Sequence, residues 1–177
     1  RNIMTDSKTW WDSVKVDKTK VNQWLVKQYR GEVTAAGRIE TLRDNYPTTD
    51  KQYKTLTIIA GQERQHANWV LALLEARGIT PDVAHAEDRY WKKTLPGIKD
   101  FATGTAVAAH AEKMRLSRIK VISEDTAAPK DIVDVFNKIL HDEIFHEKAF
   151  RSMSNWWALE NTKHNQKLGE EVLGLVN

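Results

Sequence analysis

Apolar residues recur in steps of three and four positions along four long stretches of this chain. That period places them on one face of an α-helix, so the pattern predicts four long amphipathic helices. The first helix is expected to run from Asp17, whose side chain can cap its start, to about Asn45. Pro47 ends it, because proline disfavours helical backbone at the preceding residue, Tyr46.

Similar signals bound the other three long helices. The second is expected to begin after a cap at Thr48 or Thr49 and to end before Gly78. The third spans about residues 100–124, and Pro129 is expected in the first turn of the fourth. Alternation with a period of two residues, which would indicate strands, is not sustained over a useful length of the sequence.

Shorter segments flank and connect these helices. Residues 5–16 are predicted to form a short helix against the end of the bundle, and a further helix is expected from Asn155 to about Leu173. Between the second and third long helices, residues 79–98 break the helical pattern and leave room for a short helix around Tyr90. A connection of this length can run along the bundle and start the third helix parallel to the second.

The predicted elements fit one all-α domain. The chain has 177 residues and a mass of 20.3 kDa, a size that favours a single domain with a substantial core. We therefore expect one domain over residues 1–177, with an N-terminal extension at 1–16, a four-helix bundle at 17–153 and a C-terminal helix at 154–177.

Two of the long helices carry the sequence Glu-x-x-His on their otherwise apolar faces. Glu63 and His66 belong to the second helix, and Glu143 and His146 belong to the fourth. Residues three positions apart project from the same face of a helix, so each pair offers one carboxylate and one imidazole. These donors suit iron, manganese or zinc.

Two further glutamates occupy matching positions in the first and third helices. Glu32 precedes Glu63 by 31 residues, and Glu112 precedes Glu143 by the same interval. Each interval is centred on a predicted turn, and residues equidistant from the turn of an antiparallel hairpin lie side by side. Two such hairpins would bring together six residues, which repeat along the chain at an offset of 80: Glu32, Glu63, His66, Glu112, Glu143 and His146.

Four carboxylates inside a helical bundle need compensating positive charge. Burying an unpaired carboxylate costs several kcal/mol, and four together would repel one another. Two divalent cations would balance four negative charges, with two neutral imidazoles as the nitrogen ligands. This is the ligand set of di-iron and di-manganese carboxylate bundles.

The six-residue pattern resembles that of the ferritin-like di-iron carboxylate superfamily, which includes rubrerythrins, bacterioferritins and di-iron oxygenases. The resemblance extends over residues 17–153. It implies a ferritin-like four-helix bundle, in which two antiparallel hairpins are joined by a long crossover. It also implies two iron ions, or manganese ions in the same ligands, that react with O₂ or peroxide.

The resemblance assigns a role to each of the six residues. Glu32 and Glu112 would each bind one iron as terminal ligands, and Glu63 and Glu143 would bridge the two ions. Each iron would also take one of the two imidazoles, His66 or His146.

Other positions distinguish among the members of this superfamily. Rubrerythrins have a further glutamate one turn after the third-helix glutamate, where this chain has Arg115, and the chain has no cysteine for a rubredoxin-type iron centre. A rubrerythrin-type peroxidase with its own electron-transfer domain is therefore disfavoured. Bacterioferritins bind haem through a methionine just after the second-helix glutamate, where this chain has Arg64, so no haem is expected.

The residue before each proposed bridging glutamate is similar to that of the di-iron oxygenases, which carry Asp-Glu-x-x-His. Asp142 matches this sequence, and Gln62 occupies the equivalent position in the second helix. Both side chains can accept a hydrogen bond from an imidazole N–H and so orient the ring. We therefore predict hydrogen bonds from His66 to Asp142 and from His146 to Gln62.

Several further positions have two interpretations each. Tyr29, one turn before Glu32, could relay an electron or pack in the core with its hydroxyl at the edge. Arg115 could hold an anionic substrate near the metals, or it could point outward if Leu116 takes the inward position. Four small residues near the metal ligands could leave a pocket for O₂ or a small substrate, or allow close helix packing: Ala35, Ala36, Ala108 and Ala109.

These observations predict an oxidoreductase, a di-iron enzyme that uses O₂ or peroxide to oxidise or hydroxylate a small substrate with electrons from an external donor. The alternatives are a ferritin-like protein that oxidises and stores iron, and a di-manganese protein with catalase-like chemistry. The net charge of +3 is scattered along the chain and gives little indication of nucleic-acid binding. Because no apolar run would span a membrane and no signal region is present, we expect a cytoplasmic protein, for which a homodimer is one option.

Overall fold

A computed structural model describes residues 6–82 and 95–173, and within these ranges the chain is helical and has no strand. The helices are α1 (Ser7–Lys15), α2 (Lys18–Asn45), α3 (Asp50–Glu75), α4 (Phe101–Ser123), α5 (Lys130–Met153), α6 (Trp156–Asn161) and α7 (His164–Leu173). A single 3₁₀ turn, Leu95–Gly97, precedes α4 in the described residues.

Helices α2 to α5 form the bundle. Helix α2 packs along α3, α4 packs along α5, and α3 also contacts α5. The turns within the two hairpins are short, whereas residues 76–100 separate α3 from α4. Short connections make neighbouring helices antiparallel, and the long connection is the crossover of a ferritin-like topology. The predicted all-α ferritin-like fold is therefore confirmed, and the division of the chain into one domain stays a prediction.

The ends of the bundle helices follow the signals in the sequence. Asp17 caps α2 by accepting hydrogen bonds from two backbone N–H groups of the first turn. Thr49 and Gln52 cap α3 reciprocally, each side chain accepting from the backbone of the other residue. Beyond the end of α3, Gly78 has a φ of +73°, a left-handed conformation that favours a residue without a Cβ atom.

Two boundaries differ from the predictions. Pro129 occupies the N-cap position of α5 rather than its first turn, because the helix begins one residue later. The single C-terminal helix that we expected is divided into α6 and α7. Thr162 ends α6, and its hydroxyl donates a hydrogen bond of 2.6 Å to the carbonyl oxygen of Ala158, which competes with continuation of the helix. The short helix expected around Tyr90 lies outside the described residues.

Two apolar clusters fill the bundle, one toward each end. The first joins the start of α2 and α5 to the end of α3 and α4, and includes Leu25, Leu74 and Phe136. Helix α1 covers this end through Trp11, whose indole N–H donates a hydrogen bond of 2.9 Å to Asp125. The second cluster lies toward the other end and contains Ile39, Leu56, Ile59, Ala60, Ala109 and Phe150. The middle of the bundle lies between the two clusters.

Every helix of residues 6–82 and 95–173 is too short or too polar to cross a bilayer.

Two adjacent isoleucines on α3 provide a matched test of the packing. Ile59 is 0% exposed in the second apolar cluster, whereas Ile58 is 54% exposed. In metal-free protein, we expect Ile59→Ala to lower the free energy of unfolding by about 2–5 kcal/mol, because it leaves a cavity. Ile58→Ala should lower it by less than about 1 kcal/mol. Urea denaturation followed by circular dichroism measures both values, and equal losses would contradict the orientation of α3.

Candidate metal centre

The six residues predicted from the helix spacing meet at the middle of the bundle, between the two apolar clusters. Helices α2 and α4 each provide one glutamate, and α3 and α5 each provide a glutamate and a histidine: Glu32, Glu112, Glu63, His66, Glu143 and His146. Every one of these side chains is at most 5% exposed. The hairpin geometry therefore brings together all six residues, as the spacing of 31 residues indicated.

The donor atoms of these residues form two groups of four, and the atoms of each group lie within 4.8 Å of one another. The first group draws on Glu32 and His66, and the second draws on Glu112 and His146. The glutamates of α3 and α5 belong to both groups. Each group could hold a metal ion.

Both histidines use their outer ring nitrogen to contact the neighbouring helix. His66 Nε2 lies 2.8 Å from Asp142 Oδ2, and His146 Nε2 lies 2.7 Å from Gln62 Oε1. Carboxylate and amide oxygens accept hydrogen bonds, so each imidazole donates from Nε2, and its Nδ1 faces the interior of the site. The two predicted hydrogen bonds are present, and both of them connect α3 with α5.

The inner polar atoms of the site have no hydrogen-bond partner within the described part of the chain. Each of the six residues contributes one such atom: Glu32 Oε2, Glu63 Oε1, His66 Nδ1, Glu112 Oε2, Glu143 Oε2 and His146 Nδ1. Some of these atoms lie close together without a hydrogen bond, with His146 Nδ1 2.9 Å from Glu63 Oε1 and His66 Nδ1 3.3 Å from Glu32 Oε2. Buried polar atoms are normally paired, so six unpaired ones that converge indicate a shared cation or shared protons.

Comparison with known proteins identifies the family. The family model named Rubrerythrin matches residues 23–168, a range that includes all six residues and most of the chain. The chain belongs to the rubrerythrin family. No match was found among curated proteins or among solved structures. Rubrerythrins are ferritin-like di-iron carboxylate proteins, and the buried donors of this rubrerythrin-family chain fit the binding of metal ions.

The electrostatics of the site favour protons or cations in its interior. Burial and the nearby charge of Glu32 together raise the pKa of Glu63 to about 7, although His146 partly offsets them. Burial also raises the pKa of Glu112 to about 8, and the pKa of Glu32 is raised for the same reason. The ionised form of these carboxylates is therefore unfavourable in the buried site, and a bound cation would stabilise it.

One contact of this rubrerythrin-family site was not predicted. Gln28 Nε2 donates a hydrogen bond of 2.8 Å to Glu32 Oε1 and so orients this carboxylate. The sequence contained a signal for it, because Gln28 is a polar residue on the apolar face of α2, one turn before Glu32. Trp69 stacks on His66 with ring centroids 5.6 Å apart, which further restricts the imidazole.

The structure places the residues that had two interpretations. Arg115 lies at a pocket beside Glu112, and its positive charge lowers the pKa of both Glu112 and Glu32 against the effect of burial. The orientation toward the site is thus supported over the outward one. Ala35 and Ala108 line the same pocket, whereas Ala36 and Ala109 are buried in helix packing. The pocket interpretation therefore applies to Ala35 and Ala108, and the helix-packing interpretation applies to Ala36 and Ala109.

Tyr29 lies away from this pocket. Its half-buried side chain packs against the first apolar cluster, the one that α1 covers. This placement supports the core interpretation, and the role as an electron relay stays a prediction.

The raised pKa values predict how the stability of metal-free protein depends on pH. The ordinary pKa of these glutamates is 4.5, and the folded values for Glu63 and Glu112 are about 7 and about 8. Between these limits the folded state binds more protons than the unfolded state, so the free energy of unfolding should fall as pH rises from 5 to 8. The slope is at most about 1.4 kcal/mol per pH unit for each extra proton.

Urea denaturation of metal-free protein at several pH values measures this slope. The double variant Glu63→Gln with Glu112→Gln should have a flatter profile, because two of the titrating groups are removed. Carboxylates outside the centre such as Asp125 and Asp131, whose pKa values are lowered by ion pairs and hydrogen bonds, titrate below this range. A free energy of unfolding that is constant or rises between pH 5 and 8 would contradict the raised pKa values.

Proposed function

We propose that this rubrerythrin-family protein is a di-iron oxidoreductase, which uses O₂ or peroxide to oxidise or hydroxylate a small substrate. The observation that carries this proposal is the convergence of six buried, unpaired donor atoms from all four helices of the bundle. Carboxylate oxygen and imidazole nitrogen are donors that iron accepts, and manganese accepts them too. The membership of the rubrerythrin family favours iron.

We propose one terminal carboxylate and one imidazole for each ion. Glu32 and His66 would hold the first ion, and Glu112 and His146 the second, in agreement with the two groups of donor atoms. The glutamates of α3 and α5, which belong to both groups, would bridge the ions. Two divalent ions carry four positive charges against the four carboxylates, so the interior of the bundle would be close to neutral.

The surrounding residues prepare these donors for metal. Asp142 and Gln62 accept hydrogen bonds from the Nε2–H groups of the two imidazoles. These hydrogen bonds favour the tautomer that presents Nδ1 to a metal. Gln28 orients the carboxylate of Glu32. The two apolar clusters on either side limit the access of water to the centre.

The proposed iron pair would supply two electrons to O₂ or peroxide. Reduction of hydrogen peroxide to two water molecules takes two electrons and two protons. Hydroxylation with O₂ places one oxygen atom in a C–H bond and releases the other as water, with two electrons and two protons from outside. Both reactions therefore need an electron donor to restore the ferrous state.

Anaerobic loading with Fe(II), followed by rapid mixing with O₂ or with peroxide, tests this function. With peroxide, we expect one equivalent of oxidant to oxidise two Fe(II) per chain. Repeated turnover should follow once a reductant is added. The size of the particle in solution separates the enzyme from a storage protein. Continued mineral formation inside a large cage would contradict the oxidoreductase proposal and favour iron storage.

The ligand assignment predicts the metal content of matched variants. Wild-type protein should bind two metal ions per chain after removal of loosely bound metal. Glu63→Gln should lose the paired site, because this carboxylate is proposed to touch both ions. Glu75→Gln removes an exposed carboxylate from the same helix and should keep the metal content of the wild type. Metal analysis of purified protein measures all three, and full metal content in Glu63→Gln would contradict the assignment.

The hydrogen bonds from His66 to Asp142 and from His146 to Gln62 predict that their loss weakens metal binding to different extents. Asp142→Ala should weaken metal binding about 10–100-fold, the usual effect of losing such a partner. Gln62→Ala should weaken it less, because an amide raises the basicity of an imidazole less than a carboxylate does. Chelator competition with zinc or Fe(II) measures both, and Asp134→Ala, which removes an exposed carboxylate of α5, is the control. Retention equal to the wild type in both variants would show that neither contact supports a metal ligand.

A further inference from the structure

A pocket opens beside the candidate metal centre, between α2 and α4. Its walls are mainly apolar, with Ile39 and Leu42 from α2 and Phe150 from α5. Glu112 forms part of the wall, so the pocket reaches a carboxylate of the proposed metal site. We call this cavity the α2–α4 pocket.

The α2–α4 pocket lies across the bundle from the contact between α3 and α5. On the opposite side, the hydrogen bonds from His66 to Asp142 and from His146 to Gln62 connect α3 directly to α5. Between α2 and α4 the pocket is lined by residues with little or no side chain, including Ala35, Ala108 and Gly104. A small molecule could therefore approach the centre from this side.

Two arginines give the α2–α4 pocket a positive charge. Arg38 lies on the α2 wall and Arg115 on the α4 wall, and both are half-buried. The charge of Arg115 is close enough to lower the pKa of Glu32 and Glu112. Both arginines also interact with other parts of the protein. A guanidinium has five N–H donors in a planar fork, so it can bind a carboxylate in addition to other partners.

The size of the α2–α4 pocket restricts its ligand. The cavity volume is about 50 Å³. At roughly 10–15 Å³ for each water-sized occupant, this corresponds to a molecule of only a few non-hydrogen atoms. The combination of apolar walls and two guanidinium groups favours an organic anion with a short aliphatic part over an inorganic anion, which would leave the apolar surface in contact with water.

We propose that the α2–α4 pocket binds a short-chain monocarboxylate, with its carboxylate at the guanidinium groups of Arg115 and Arg38 and its aliphatic part against Ile39, Leu42 and Phe150. As a binding site, the proposal rests on the pocket alone. As the substrate class of the proposed oxidation, it also rests on the proposed function, because Glu112 connects the pocket to the metal centre.

Titration of isotope-labelled, metal-free protein with propionate, followed by amide NMR shifts, tests this proposal. We expect saturable shifts at the backbone amides of Gly104 and Ala108. Propionamide has the same shape without the charge and should bind at least about tenfold more weakly, because it loses the charge-assisted hydrogen bonds. Inorganic phosphate should also bind more weakly, because it has no aliphatic part.

Three variants identify the groups that bind the anion. Arg115→Gln and Arg38→Gln should each weaken propionate binding about tenfold or more, and Ala108→Leu should block it by filling the pocket. Arg77→Gln removes the same charge at a remote ion pair with Asp131 and should bind propionate as the wild type does. Circular dichroism and thermal unfolding confirm that each variant is folded.

The outcomes separate this inference from the proposed function. Equal binding of propionamide, unchanged binding in both arginine variants, or shifts elsewhere in the protein would overturn the carboxylate site. A metal count on the same preparation tests the metal centre independently. Two metals with no propionate binding would refute the pocket alone, whereas propionate binding to a chain that takes up no metal pair would support the pocket and refute the di-iron proposal.

Discussion

Four carboxylates buried at one point impose the main constraint on this structure, because their desolvation and mutual repulsion must be offset by positive charge. Glu63 and Glu112 have pKa values raised to about 7 and about 8, so protons alone can offset part of this charge in metal-free protein. The Nδ1 atoms of His66 and His146 lie close to these carboxylates, and a metal ion can bind imidazole nitrogen and carboxylate oxygen at once.

The architecture of the bundle accommodates this constraint. Apolar clusters toward both ends stabilise the four helices independently of the centre, so the polar residues between them need not contribute to folding. Hydrogen bonds from His66 and His146 to the facing helices hold α3 and α5 together and fix both imidazoles. The pocket that contains Arg115 opens on the other side, between α2 and α4.

Periodicity and spacing predicted most of the fold and the whole set of six donors, since a 31-residue interval across a short turn defines which residues of two antiparallel helices meet. The contacts of Asp142 and Gln62 could also be predicted, because the resemblance to the di-iron oxygenases implied that the residue before each glutamate faces the histidine of the other helix. The sequence could not predict which of two adjacent small residues lines a pocket, as with Ala35 and Ala36, because this depends on how far apart α2 and α4 lie. For the same reason, Arg38 was not recognised as a pocket residue.

We propose that the six donors hold two metal ions as a pair rather than at separate sites. Mössbauer spectroscopy of protein loaded anaerobically with Fe(II) and then exposed to O₂, together with electron paramagnetic resonance of the same sample, tests this pairing. Shared carboxylates between the two ions predict spin-coupled ferric pairs that account for nearly all of the bound iron and give no paramagnetic resonance signal. Isolated high-spin ferric ions, visible by both methods in proportion to the bound iron, would contradict the paired centre.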